Sequence, residues 1–172
     1  MTRMYLAVTL LLMAAAHAQT GSSDRMKSGS DMVPMADQHF MMKAAQGGMA
    51  EVELGKLATQ NASSQAVKDF GQKMVDDHSK ANDELKGLAG RKNVTLPTSL
   101  DPKDQAAKDR LSKLTGAAFD RAYMRDMVAD HKKDVADFQK EATAGADPDV
   151  KTWASNTLPT LQGHLQMART AK

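Results

Sequence analysis

"VKDFGQKMVDDHSKANDELKGLA", Val67 to Ala89, decides how this chain folds. Val67, Phe70, Met74, His78, Ala81, Leu85 and Leu88 follow one another at steps of three and four. That is the rhythm of one helix face turned towards a core. All of these positions are apolar except His78. Its imidazole is aimed where a polar group needs a partner.

Three other stretches carry the same rhythm. A helix is expected over 37–60, with Phe40, Ala44, Gly47, Glu51, Leu54 and Ala58 on its seam. The helix around His78 is expected over 64–89, before "GRKNVTLPTSL" breaks the pattern with Gly90, Asn93 and Pro97. Asp101-Pro102 is a start signal, Asp as N-cap and Pro in the first turn. It opens a short helical piece over 103–114. A long third helix then follows past Gly116, with Ala117, Asp120, Met124, Met127, His131, Val135, Phe138 and Ala142 on one face. Gly145 stops it. Asp147-Pro148 repeats the start signal for a fourth helix, whose seam is Val150, Trp153, Thr157, Leu161, His164 and Ala168. Pro159 inside it predicts a kink that releases the Ser155 carbonyl.

The fold class is therefore all-α, a four-helix bundle over 37–171. Short links make the first and last helix pairs antiparallel hairpins. The long middle link allows two orders. It can cross over, so that the second and third helices run the same way as in ferritin-like folds, or it can continue a plain up-down-up-down bundle.

The seams bring one ligand-type residue from each helix towards the core: Glu51, His78, His131 and His164. Bundle cores build metal sites in this way. Counted from the two hairpin turns, Glu51 and His78 differ in level by roughly 7 Å, and His131 and His164 by roughly 4–5 Å, which long side chains can span. "MVDDH" and "MVADH" place Met74 and Met127 four residues before His78 and His131, and Met167 lies three after His164. Zn(II) suits the Glu and His set. Copper is favoured if the thioethers turn inward. Iron fits worse, because the Glu-x-x-His motif of di-iron bundles is missing: Val75, Val128 and Leu161 stand three before the histidines. His39 reads as a surface residue. Asp120 lies too far along its helix to join the set, and reads as part of a buried network with Arg121 and Tyr123.

Bulk properties exclude several classes. Aromatics are 4% of the 172 residues, which disfavours a sheet protein. The net charge of +2 comes from interspersed acids and bases, so nucleic acid is not an expected partner. With no Cys there is no disulfide or thiol nucleophile, and neither a nucleophile triad nor a phosphate loop is visible. Residues 1–18 read as a signal peptide, with Arg3, an apolar run and Ala16-His17-Ala18 as cleavage site. Residues 19–36, rich in Ser, Gly and Asp, read as a disordered leader. The expected location is periplasmic or secreted, with no membrane span in the mature chain.

"AEVELGKLA", "MVDDH", "FDRAYMRDMVADH" and "LPTLQGHL", in this order after a signal peptide, resemble a large group of secreted bacterial proteins. That group is catalogued as a domain-of-unknown-function family with a ferritin-like four-helix fold, and its members are often labelled outer membrane proteins. The resemblance spans about Phe40 to Ala168. It implies a periplasmic bundle with crossover order, and it places the family's Glu and His at Glu51, His78, His131 and His164. It implies no settled activity. Three readings remain: metal buffering, storage or sensing; a metal-free envelope protein whose histidines form a core hydrogen-bond network; and, last, an iron-dependent oxidoreductase.

Overall fold

In the computed structural model, residues 32–171 are described. The expected signal peptide and most of the leader lie outside them. The described residues form α1 (Met35–Asn61), α2 (Gln65–Lys92), α3 (Pro102–Leu111), α4 (Gly116–Ala144) and α5 (Pro148–Thr170). None of these helices is long and apolar enough to cross a membrane.

Both Asp-Pro signals behave as read. Asp101 accepts from the Asp104 N–H at the start of α3. Asp147 accepts from Asp149 and Val150 at the start of α5. Gly145 ends α4, and α5 runs on through Pro159 to Thr170. Three boundaries differ from expectation. The short helix α3 ends at Leu111, three residues before the expected end. Gly90 does not end α2, which continues to Lys92 and stops at Asn93 in the left-handed conformation (φ 55°). At the other end, α1 begins at Met35, and Val33, in the stretch read as leader, is buried in the core.

Two carboxylates set the order of the helices. Asp120, near the start of α4, accepts from the backbone N–H groups of Ser63 and Ser64 at 3.0 Å each, and from the Ser63 hydroxyl. Asp37, near the start of α1, accepts from the backbone N–H groups of Ala146 and Asp147 at 3.0 and 2.6 Å. Each caps the helix that follows the partner turn, from outside that helix. The end of α1 thus lies beside the start of α4, and the start of α1 beside the end of α4. Helices α1 and α4 are antiparallel, so α2 and α4 run the same way. This is the crossover order, with α3 carried on the long connection. The partners of Asp120 are therefore Ser63 and Ser64. Arg121 acts on it only through charge, and the Tyr123 hydroxyl has no hydrogen-bond partner among the described residues.

The core has two apolar halves. One gathers Leu54, Phe70, Met74, Phe119, Tyr123 and Met127. The other gathers Met41, Leu85, Phe138, Trp153, Leu158 and Leu161. In every helix of the bundle, the residue between the two halves is the ligand-type one: Glu51, His78, His131 or His164. The site is a polar layer across the middle of the bundle.

Candidate metal centre

The four expected residues all reach that layer. Glu51, His78, His131 and His164 are 1%, 6%, 0% and 1% exposed. One ring nitrogen from each histidine lies within 4.8 Å of the other two. The ring centroids stand 5.2–5.8 Å apart in all three pairs. Glu51 bridges two of them, with Oε2 2.9 Å from His78 Nδ1 and Oε1 3.3 Å from His131 Nε2.

Acceptors fix which nitrogens carry protons. His131 Nδ1 lies 3.0 Å from the Met127 carbonyl, which can only accept, so Nδ1–H donates. His164 Nε2 lies 2.7 Å from Asp77 Oδ2. Burial pushes the Asp77 carboxyl up, but hydrogen bonds from Lys73 and His164 together outweigh it and hold the group below its usual range. Asp77 is ionised and accepts, so His164 Nε2–H donates. Burial also lowers the basicity of the imidazoles: His78 and His164 are pushed down to about 4, and His131 is lowered against the pull of Glu51. Neutral rings with these donors leave His131 Nε2 and His164 Nδ1 bare. The two lone pairs face each other across 3.4 Å. His78 Nε2 is buried nearby without a hydrogen-bond partner.

Lone pairs pointed together inside an apolar core repel unless a cation or a proton lies between them. Outward nitrogens held by carbonyl or carboxylate acceptors are the usual support of metal-binding histidines. Three imidazoles suit zinc or copper. The donor set therefore fits such an ion. Burial, then the charges of Asp130 and Asp104, raise the Glu51 carboxyl to about 8 despite the opposing pull of His131. At neutral pH in the metal-free protein Glu51 holds a proton, and this proton can sit in the gap facing His131.

Asp77 was missed by the seam reading, because it stands one residue off the apolar stripe of α2, facing α5. Its spacing gave no signal, since its partner lies on another helix. Met74 and Met127 are buried in the apolar half next to the site, and Met167 packs against the same half. His39 is exposed, as expected.

A family model described as a domain of unknown function, DUF4142, matches residues 22–171. Among solved structures, a DUF305 fragment from Deinococcus radiodurans aligns with a TM-score of 0.71 at 16% identity, over 81% of this chain and 96% of that one. CopM in its Cu(I)-bound form aligns at 0.65 and 17% identity, over 78% of this chain and 93% of that one. Its Cu(II)-bound form aligns at 0.66 and 16% identity over the same shares. At these identities the likeness is one of fold. No curated protein matches the chain. With nearly its whole length matched by one family model, the chain belongs to the DUF4142 family.

Proposed function

We propose that this protein is an exported bundle that binds one copper or zinc ion through His78, His131 and His164, with Glu51 as fourth ligand, and buffers or stores it. One observation carries the reading: His131 Nε2 and His164 Nδ1 face each other at 3.4 Å while their other nitrogens are spent on Met127 and Asp77. Copper is the first choice because CopM, of similar fold, is a copper-bound protein. Export is supported by the sequence of the first 18 residues.

The protonation pattern supplies a test. The histidines are depressed to about 4, so they stay open to metal through mildly acidic pH. Glu51, raised to about 8, must give up its proton when the ion binds. Affinity for Zn(II) is therefore expected to fall by about tenfold for each pH unit below 8, one proton's worth. In Glu51→Gln the dependence between pH 6 and 8 disappears. Competition titrations at pH 6, 7 and 8 measure both slopes. A three-proton slope, or an unchanged slope in Glu51→Gln, would contradict the assignment. If the wild-type protein, purified without an affinity tag, binds neither zinc nor copper, the metal-free envelope reading replaces it.

A further inference from the structure

Between α1 and α4 the bundle opens into a cleft of about 530 Å³, lined by Asp101, Asp104, Asp130 and Asp134 among other acidic groups, and by Lys43, Lys103, Lys133 and Lys140. Glu51 and His78 line the same cleft, so it reaches the histidine layer from outside. At its inner end, one carboxylate oxygen from each of Glu51, Asp130 and Asp134 lies within 4.8 Å of the other two. Asp130 and Asp134 stand four residues apart on α4, on neighbouring turns of one face. Both are half-buried. Glu51 Oε1 is fully buried and makes no hydrogen bond among the described residues, and the nearest titratable ring atom is His131 Nε2 at 3.3 Å.

Lys133 acts on Asp134 through its charge, but no lysine of the cleft forms an ion pair with Asp130 or Asp134 among the described residues. Lys133 sits between the two aspartates in sequence but pairs with Asp137 at 2.5 Å. Lys43 pairs with Asp101 at 3.6 Å. Among the described residues, neither Asp130 nor Asp134 forms an ion pair. Burial, then the charges of Glu51 and Asp130, raise the Asp134 carboxyl to about 8, so holding all three groups ionised at this range calls for a cation between them.

We infer that Glu51, Asp130 and Asp134 form a second cation site, for a hard divalent ion of the Mn(II), Mg(II) or Ca(II) class, at the inner end of the acidic cleft. Oxygen-only donors select such ions, whereas the imidazoles select zinc or copper. The open side of the cleft leaves room for waters to complete the shell, as these ions require. The cleft lining carries more carboxyl groups than lysines, and the resulting negative field draws cations in. The assignment rests on the histidine reading only in that Glu51 is shared. The two sites therefore differ in metal class and meet at one carboxylate.

Manganese EPR tests it, because free and bound Mn(II) are counted directly. The wild-type protein is expected to bind one Mn(II) per chain. Asp130→Asn combined with Asp134→Asn removes two charged ligands at constant shape, and is expected to weaken that binding by at least about 10-fold. His164→Ala touches none of the three carboxylates, and is expected to keep Mn(II) binding while losing zinc or copper affinity. Failure of the histidine reading shows only in the zinc or copper titration. Failure of this inference shows in the manganese signal: no bound Mn(II) in the wild type, or equal binding in the double variant, overturns it.

Discussion

His131→Phe is expected to lower affinity for copper or zinc by at least about 100-fold, with the fold intact. His131 is the hub of the layer. It is fully buried, and its Nε2 lies 3.4 Å from His164 and 3.3 Å from Glu51. Its ring also packs against Phe70 at a centroid distance of 6.3 Å. Phenylalanine keeps the volume and the aromatic contact but carries no lone pair. A ligand role and a packing role therefore give opposite results. If the ring only fills the core, Phe serves as well and affinity does not change. If the lone pair matters, binding falls while the metal-free protein melts no lower than the wild type, because replacing a buried polar group with an apolar one of similar shape is often neutral or stabilising. Chelator competition gives the affinity, and a thermal melt without metal gives the stability.

The second large effect lies at the α1–α2 contact. Gly71→Ala is expected to destabilise the bundle by about 2–3 kcal/mol. On an open helix face the same change would stabilise by about 1 kcal/mol, through better helix propensity. Here a methyl at Gly71 would meet the Ala58 methyl at 2.5 Å and the Gly55 carbonyl oxygen at 2.9 Å. A methyl at Gly55 would meet the Gly71 carbonyl oxygen at 2.6 Å. Backbone touches backbone here, so no flexible side chain can yield, and the helices must separate. Gly55 lies four residues after Glu51, so separation also shifts Glu51 relative to His78. Loss of stability should therefore be accompanied by weaker metal binding. Urea titration gives the first quantity and metal titration the second. A variant as stable as the wild type would show that the helices tolerate the wider spacing.

The seams of α2, α4 and α5 were legible because their apolar spacing is nearly uninterrupted, so each histidine stood out as a polar residue on an apolar stripe. The same logic found Glu51, despite the weaker apolar pattern of α1. The helix order was not legible in the spacing, which left two orders open; the resemblance implied the crossover order that the structure has. That order is fixed by Asp37 and Asp120, whose N–H donors lie more than fifty residues away in sequence, and no local pattern records a cap supplied by another helix. Asp120 was recognised as a buried hydrogen-bonding residue, but its neighbours in sequence, Arg121 and Tyr123, were mistaken for its partners. Asp77 and Asp130 flank the stripe, where a side chain faces either solvent or a neighbouring helix, and the run DHKKD that holds Asp130 and Asp134 has the composition of solvated helix surface. Their closeness to the site depends on how α1 packs on α4 and α2 on α5, and this interhelical register is not written in any single helix. Gly90 misled in the opposite direction: a glycine near a helix end suggested a stop, yet the left-handed turn falls at Asn93.

X-ray absorption of the protein loaded with one equivalent of copper or zinc tests the central claim most directly. The account predicts a first shell dominated by three nitrogens at about 2.0 Å, with the outer scattering pattern of imidazole rings. A shell of oxygens without imidazole scattering, or one dominated by sulfur from Met74 and Met127, would contradict it.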